Sequence, residues 1–357
     1  MSDPRFQRWA AAFPLTRRTA RRRARALFDL CAGFVYSQIL YACVRLRLFD
    51  LLAQGPQSAA AIARELDLTL DAAELLLDAA VSLDLADRRQ GGRFGLGSLG
   101  AAMVGNPAVS AMVEHHRLLY SDLDDPVGLL RGEHAKTRLA SYWAYAGSKA
   151  PARLSHERTA DYTDLMANSQ PLVASEVLDA YPLSSHRSLL DVGGGDGSFL
   201  IEAARRHAQL ELILFDLPAV ARQATERFQN SGVAPRARAV GGDFLVDPLP
   251  EGADVISLVR VVHDHDDEAA RSLLRSVHRA LAPQGVVLLA EPMLGTPGAE
   301  TVGHAYFGFY LLAMGNGRPR SPLELRLMLT EAGFHRPHVV QTRQPLQTCL
   351  ILAHKKM

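Results

Sequence analysis

Short apolar runs alternate with amphipathic stretches from Ser188 onward, and this alternation constrains the fold more than any other feature. The runs read SLLDV, LELILFD, ARAVGGD, DVISLVRVV and GVVLLAEPM, with a glycine or an acidic residue at or near the end of each. Stretches such as SFLIEAARRHA and DEAARSLLRSVHRALA separate them. Strands that alternate with helices form a parallel sheet covered on both faces. The sequence therefore predicts an α/β domain over residues 183–357.

The end of this domain differs in pattern. The stretch HVVQTRQPLQTCLILAHK holds two apolar runs with little chain between them, which predicts two antiparallel strands at one edge of the sheet. The complete sheet is then mostly parallel and seven-stranded. Ligands of such sheets bind beyond the carboxyl ends of the strands, so the polar residues at those ends are the candidates for a site.

Residues 26–182, which precede this domain, divide into two further regions. Residues 26–106 read as helix, turn, helix and two short strands around Gly91 and Gly92, which is a winged-helix outline. Its second helix has Asp71, Glu74 and Asp78 and no basic residue, so it would repel the phosphates of DNA. A dimerisation module is the better interpretation. Residues 107–182 form a helical connector, rich in aromatic residues that could line a pocket: Tyr142, Trp143, Tyr145 and Tyr162.

The composition excludes two classes of protein. The chain has 357 residues and a net charge of +1, whereas general nucleic-acid binding depends on a basic face. Its cysteines, Cys31, Cys43 and Cys349, are odd in number and have no CxxC spacing, so neither a disulfide framework nor a zinc site is expected. These features predict a cytoplasmic protein.

Residues 1–25 form a basic N-terminal segment that departs from this charge balance. The arginines of the segment are Arg5, Arg8, Arg17, Arg18, Arg21, Arg22, Arg23 and Arg25. The apolar run that follows is interrupted by Asp29, Ser37 and Gln38, which argues against a signal peptide or membrane anchor and favours a helix buried between subunits. The arginines fit either a solvated chain end or peripheral attraction to an anionic membrane, and both remain open at this stage.

The first strand of the α/β domain leads into a glycine-rich turn. In LLDVGGGDGSFL, Gly193, Gly195 and Gly197 can bring backbone N–H groups close to a ligand. A glycine turn alone is weak evidence, since dinucleotide folds use a similar one. Asp191 at the strand end would repel a pyrophosphate but would suit a cationic ligand that bears an amino group.

Acidic residues follow the next two strands as well. Asp216 comes about twenty residues after the glycines, where an acid can accept both hydroxyls of a ribose. Asp243 can take an adenine amino group, and the ring of Phe244 can stack on the base. Together these residues describe a nucleoside bound without phosphate.

The stretch from His263 to Glu268 puts two histidines, three aspartates and a glutamate in six consecutive positions, so a metal site has to be considered. His263 and His265 would share a face only if the strand continued through them. Asp266, Asp267 and Glu268 lie where a helix should begin, and acids there cap the helix and complement its dipole. Capping explains the acids without a metal, so none is predicted.

In this order, the stretches LLDVGGGDGSF, FDLP, GGDF and VVHDHDDE resemble successive motifs of S-adenosylmethionine-dependent O-methyltransferases of the small-molecule, plant-type class. The resemblance covers nearly the whole chain and implies a Rossmann-like catalytic domain, a winged-helix dimerisation domain, a homodimer and S-adenosylmethionine as cofactor. It implies that Asp191 and the glycine loop hold the methionine part. Asp216, with Leu217 beside it, would hold the ribose, and Asp243 with Phe244 the adenine.

The resemblance also implies further cofactor contacts and a catalytic group. Arg260 occupies a place where relatives often have lysine, and Ser169 or Gln170 would contact the cofactor carboxylate. His263 matches the family's catalytic histidine and would act as general base, and Asp264 matches its neighbour in the motif. Glu291 matches the acid that orients this base.

Two positions depart from the family pattern. His265 replaces the tryptophan of the HDW-like motif, and it would either polarise a pocket wall or lie at the surface. Pro319, in GNGRPRS, stands where plant relatives have a second glutamate. The sequence therefore predicts one carboxylate partner for His263 instead of two.

A finer resemblance links the chain to bacterial carotenoid methyltransferases of the hydroxyneurosporene or demethylspheroidene type. The stretches LFDLCAGFVYSQILYACVRLRLFDLL and AYFGFYLLAMGNGRPRSPLEL are similar to those enzymes. A lipophilic acceptor would suit an apolar channel, for which the candidates are Tyr162, Met166, Phe307, Tyr310 and Met314. Each of these side chains could equally be core. An aromatic or polyketide acceptor and a cofactor-binding regulator remain the alternatives.

Overall fold

The computed structural model describes residues 3–133, 136–143, 145, 151–345 and 348–356. The remaining residues of the predicted connector, residues 346 and 347, and the first two and last residues of the chain lie outside the described ranges. The chain divides into two compact units, Met1–Glu114 and His115–Met357.

Short helices and a small sheet form the first unit. Its elements are α1 (Pro4–Ala12), α2 (Arg17–Arg45), α3 (Leu48–Ala53), β1 (Gln57–Ser58), α4 (Ala59–Glu65), α5 (Leu70–Ser82), β2 (Ala86–Arg89), β3 (Arg93–Leu96) and α6 (Ser98–Met103), with α7 (Pro107–Asp122) crossing the unit boundary. Thr69 caps α5 by accepting from the amide of Ala72 at 3.2 Å. Gly91 and Gly92 have positive φ, which allows the tight turn between β2 and β3. This is the helix–turn–helix and hairpin that the sequence predicts.

Helix α2 is long and largely exposed. By length and composition alone it could cross a membrane, with a best 18-residue window of mean hydropathy 1.5, of which 11% is buried. Its exposed apolar side chains include Leu27, Phe28, Leu30 and Phe34. A core helix of a soluble protein passes the same length and composition test.

The second unit contains the large sheet. Its elements are α8 (Pro126–Leu130), α9 (Arg138–Tyr142), α10 (His156–Ala180), β4 (Ser188–Val192), α11 (Ser198–Arg206), β5 (Glu211–Asp216), α12 (Pro218–Asn230), β6 (Ala237–Gly241), β7 (Val255–Val259), α13 (Asp267–Ala280), β8 (Val286–Glu291), α14 (Gly308–Met314), α15 (Pro322–Glu331), β9 (His335–Val340) and β10 (Cys349–His354). A π-helical segment, Val302–Phe307, runs directly into α14.

The sheet has the strand order β6-β5-β4-β7-β8-β10-β9. The strands from β6 to β8 are parallel, and β10 is antiparallel to both β8 and β9. The predicted antiparallel pair at the edge is therefore confirmed. Every residue of β7 and β8 is buried, as expected of strands covered on both faces. The strand order reverses between β4 and β7, and the carboxyl end of that junction is where such a sheet offers a crevice.

Candidate active site

A cavity of about 370 Å³ lies at the carboxyl ends of β4, β5, β6 and β7. Of the residues predicted for the site, those that line the cavity are Gly193, Gly195, Asp216, Leu217, Asp243, Phe244, Arg260, Asp264, Tyr162 and Met166. Those that do not line it are Asp191, Gly197, Ser169, His263, Glu291, Phe307, Tyr310 and Met314. The strand-end candidates thus converge on one cavity, and the other predicted residues lie behind or beside it.

The glycine loop after β4 follows the cavity floor. Gly195 has φ +61° with no atom within 4 Å of where a Cβ would be, and its amide donates to Asp216 Oδ2 at 2.8 Å. A Cβ on Gly197, by contrast, would lie 2.4 Å from the ring of Phe228. Gly195 therefore keeps the floor open, whereas Gly197 permits the close packing that begins α11.

Asp191 lies beneath this loop and is fully buried. Its Oδ1 accepts from the Ser257 hydroxyl at 2.6 Å, while Oδ2 has no hydrogen-bond partner among the described residues. Burial raises the pKa of Asp191 to about 7, against the opposing effect of the Ser257 hydrogen bond. A buried carboxyl oxygen without a partner has a capacity for hydrogen bonding that a ligand or a water could meet.

Asp216 ends β5 and faces the cavity. Its two oxygens accept from the amides of Gly195 and Leu217 at 2.8 and 2.7 Å. Burial nevertheless raises the pKa of Asp216 to about 6, because desolvation outweighs the two hydrogen bonds. The carboxyl group is held in place by backbone groups.

Asp243, Phe244 and His265 form the cavity wall next to Asp216. Asp243 accepts from the amide of Leu245 at 3.0 Å. The ring of His265 meets that of Phe244 edge-on, with centroids 5.3 Å apart. His265, whose place the sequence left open, therefore lines the cavity and is buried, and burial lowers its pKa.

Arg260 follows β7 in a left-handed backbone conformation, φ +57°. Its guanidinium donates to Ser169 Oγ at 2.8 Å and to the side-chain oxygen of Gln170. Its Nε has no hydrogen-bond partner among the described residues, and burial lowers its pKa to about 10. Of the two α10 residues named as candidates, Gln170 lines the cavity and Ser169 does not.

His263 lies in a short 3₁₀ turn, Val262–Asp264, after β7. Its Nδ1 is 2.9 Å from Glu291 Oε2, which also accepts from the backbone amide of His263 at 2.8 Å. Its Nε2 is 3.2 Å from Asp264 Oδ1. The prediction of a single carboxylate partner is therefore wrong, because this turn folds the neighbouring Asp264 back onto the ring.

The two carboxylates raise the pKa of His263. Burial lowers the pKa of His263, but attraction by Asp264 and the hydrogen bond and charge of Glu291 outweigh burial and raise the pKa above its ordinary value. Asp264 in turn accepts from the Tyr145 hydroxyl at 2.6 Å. The two acids therefore stabilise the protonated form of His263 relative to a free histidine side chain.

The segment GNGRPRS packs against the His263 turn. Gly317 has φ +78°, and a Cβ there would lie 2.2 Å from the His263 carbonyl oxygen, which accepts from the Arg318 amide at 2.9 Å. Arg320 is only 1% exposed, and its guanidinium donates to the carbonyls of Val262 and His265 at 2.9 and 2.8 Å. This support was not predicted from sequence, although the density of glycine and arginine in the segment is a signal for it.

Helix α13 begins as expected, with one addition. Asp266 caps it by accepting from the amide of Ala269 at 2.9 Å. Asp267 also pairs with both Arg318 and Arg320, and these arginines lower its pKa to about 2. Within the described ranges, no group of three or more histidine, cysteine or acidic side chains is placed to hold a metal.

Aromatic side chains make the remaining wall. Trp143, Tyr145 and Tyr162 line the cavity, with ring centroids 5.3 to 5.9 Å apart. The aromatic stretch SYWAY, which the sequence already indicated as a candidate pocket lining, includes Trp143. Its indole N–H donates to the hydroxyl of Tyr310, which also contacts His115 at 2.7 Å.

The predicted channel residues of the 302–314 region lie elsewhere. Phe307 is 5.8 Å from the His263 ring, centroid to centroid. Tyr310 and Met314 are buried, and neither reaches the cavity. Of the five predicted acceptor residues, Tyr162 and Met166 are the ones that line it.

Two family models match the chain. Residues 120–335 match the O-methyltransferase domain, and residues 28–106 match the O-methyltransferase dimerisation domain. Together they account for most of both units.

Curated relatives and solved structures agree with these matches. The demethylspheroidene O-methyltransferase of Cereibacter sphaeroides is 45% identical over 92% of this chain and 86% of that protein. The same enzyme of Rhodobacter capsulatus is 40% identical over 96% of this chain and 85% of that protein. The crystal structure of human N-acetylserotonin methyltransferase with S-adenosylmethionine covers 94% of this chain and 98% of its own, at 27% identity and a TM-score of 0.77.

Proposed function

The chain belongs to the family of S-adenosylmethionine-dependent O-methyltransferases with an N-terminal dimerisation domain, and on that premise we propose that it methylates a hydroxyl group of a hydroxycarotenoid. Two observations support this acceptor class. The chain is 45% identical to a demethylspheroidene enzyme, and the cavity beside His263 has an aromatic wall of Trp143, Tyr145 and Tyr162. The observation that carries the chemistry is the His263–Glu291 pair at 2.9 Å.

The cavity fits the family's cofactor. When bound, S-adenosylmethionine supplies an activated methyl group on its sulfonium. We propose that Asp216, with Leu217 beside it, accepts the ribose hydroxyls, that Asp243 and Phe244 hold the adenine, and that Gly193 and Gly195 leave room at the floor. The partnerless Oδ2 of Asp191 and Nε of Arg260 supply one acceptor and one cation for the ends of an amino acid, with Ser169 and Gln170 positioning Arg260.

His263 is the proposed general base. Glu291 holds Nδ1–H, so Nε2 is the nitrogen that takes the acceptor's hydroxyl proton. For this, the contact of Nε2 with Asp264 has to give way to the acceptor hydroxyl. An aliphatic alcohol is much less acidic than imidazolium, so proton transfer accompanies methyl attack and no free alkoxide forms beforehand. With the cofactor bound, the aromatic residues of the cavity would position the acceptor hydroxyl for methyl transfer.

The proposed assembly is a cytoplasmic homodimer formed through the first unit. The match to the dimerisation domain supports it. So do the exposed apolar side chains of α2, since Leu30 and Phe34 are 80% and 67% exposed in the single chain. A second copy would cover them.

An assay of the purified protein with labelled S-adenosylmethionine tests the acceptor. Hydroxycarotenoids in detergent are compared with phenolic and polyketide hydroxyls, and product masses identify the methylated compound. We expect turnover on the hydroxycarotenoids. Efficient turnover on the phenols alone would overturn the acceptor class and leave the family assignment standing.

A further inference from the structure

We propose that residues 4–25, which we call the N-terminal anchor, dock on an anionic lipid surface. The anchor comprises α1 and the first turns of α2. It lies before residue 28, where the match to the dimerisation domain begins. Docking is a property separate from methyl transfer, since it needs neither acceptor nor cofactor.

The anchor has an exposed aromatic ridge. Phe6, Trp9 and Phe13 are spaced three and four residues apart and so share one face of the helix. Ring centroids are 5.8 Å apart for Phe6 and Trp9 and 4.9 Å for Trp9 and Phe13. The three side chains are 45%, 52% and 38% exposed, and α1 buries none of its residues. Such a ridge in water is unfavourable unless another apolar surface covers it.

The same segment is rich in arginine. Arg5 and Arg8 lie on α1, and the basic residues Arg17, Arg18, Arg21, Arg22 and Arg25 recur on one side of α2. With Asp3 as the single acid, residues 1–25 have a net charge of +7. Because the whole chain has +1, the rest of it carries −6. The anchor is thus a concentrated positive patch on an otherwise acidic protein.

The aromatic ridge and the arginines together indicate which partner covers the anchor. A helix with Trp and Phe on one face and arginine beside them lies in the plane of a bilayer surface, with its rings at the headgroup level. Anionic headgroups attract each basic residue, so eight arginines add up to a substantial attraction. A second copy of the chain would place one N-terminal segment of charge +7 against another of the same charge, and the two would repel. A nucleic acid would satisfy the arginines and leave the aromatic ridge in water.

Lipid docking would also deliver the enzyme to its acceptor. This benefit rests on the proposed function, because only a lipophilic acceptor is concentrated in the bilayer. Failure of the acceptor assay would remove the benefit and leave the docking measurement unaffected.

Cosedimentation of the full-length protein with vesicles tests the proposal. We expect binding to vesicles of equal parts phosphatidylglycerol and phosphatidylcholine, weak binding to pure phosphatidylcholine, and release by high salt. The triple variant R17Q/R18Q/R21Q should bind at least roughly 10-fold more weakly. The control R131Q/R205Q/R343Q removes three exposed arginines of the second unit and should bind like the wild type.

A second variant tests the aromatic ridge. W9Q/F13Q should lose binding while its circular dichroism stays native, since neither residue is buried. We expect W9F to retain binding but to lose the blue shift of tryptophan emission that accompanies it. The remaining tryptophan, Trp143, is already buried, so its emission should not respond to vesicles.

Four results of the binding measurements would overturn the proposal, and one result on particle mass would as well. The four binding results are absence of binding by the wild type, equal binding to neutral vesicles, tighter binding to a DNA duplex than to the anionic vesicles, and resistance of the bound protein to high salt. A smaller particle mass of W9Q/F13Q by light scattering would also overturn it, because a second copy would then be what covers the ridge.

Discussion

The cavity has two sides that are built differently. On the side proposed for the cofactor, which we call the cofactor side and define as the 193–196 loop with Asp216, Leu217, Asp243 and Phe244, backbone amides and residues at the strand ends make the surface. On the side proposed for the acceptor, which we call the acceptor side, Trp143, Tyr145 and Tyr162 meet Asp264 and His265 of the turn 262–265, so side chains from distant segments make the surface. Tyr145 and Asp264 are 119 positions apart. A surface made by strand ends follows from topology, whereas one made by side chains depends on how remote segments pack.

The largest expected effect is at His263, the proposed general base, and it separates methyl transfer from cofactor binding. Replacement H263A should lower the methylation rate by roughly 100-fold or more, as expected for a general base, with cofactor affinity unchanged. Single-turnover rates and titration calorimetry measure the two quantities. Near-normal turnover of this variant would remove His263 from the mechanism.

The cofactor side is tested next by D216A. The variant removes a carboxylate that lines the cavity and should weaken S-adenosylmethionine binding by roughly 10- to 100-fold, the range for hydrogen bonds to a charged group. Titration calorimetry measures it. The pH profile of the rate at saturating cofactor should not move; a moved profile would mean that the two sides are coupled.

Arg320 supports the turn 262–265 on the acceptor side. Lysine cannot reproduce the forked donation to the Val262 and His265 carbonyls, so R320K should lower kcat by roughly 10-fold through misplacement of the His263 turn. Arg318 pairs with the same Asp267 but is 42% exposed, which makes R318K the matched control. Equal losses in both variants would assign the effect to Asp267 instead of to the turn.

The smallest expected effect is a shift in pH dependence. Because the pKa of His263 is raised, the rate should be low where the ring is protonated and should rise with pH, with a midpoint above the ordinary histidine value of about 6.5. D264N removes the largest of the effects that raise this pKa, so its midpoint should move to lower pH. A midpoint that moves upward would contradict the assigned contact.

The same acids make the fold's stability depend on pH. A histidine whose folded pKa is raised contributes stability at pH values below its unfolded pKa, and this contribution is lost as pH rises through the folded pKa. Thus the pH range in which His263 would act as the proposed base is the range in which it contributes least to the stability of the turn. Such opposition is common at functional sites.

The sheet, and the meeting of the strand-end residues at one cavity, could be predicted from sequence for the same reason. Buried strands leave unbroken apolar runs, and the carboxyl ends of adjacent parallel strands must meet, so Gly195, Asp216 and Asp243 could be grouped without coordinates. For Tyr310 and Met314, helical spacing was not enough, because apolar spacing cannot distinguish a cavity wall from core. Both proved to be buried away from the cavity.

The sequence by itself determined the α/β architecture, the family and which strand-end residues meet at one cavity. Only the tertiary structure decided how His263 is held: between Glu291 and Asp264, on a turn supported by Gly317 and Arg320. The physical reason is that strand and helix periodicity depends on residues that are close together in the sequence. The charge state of a buried histidine depends instead on which distant groups packing brings within hydrogen-bond reach.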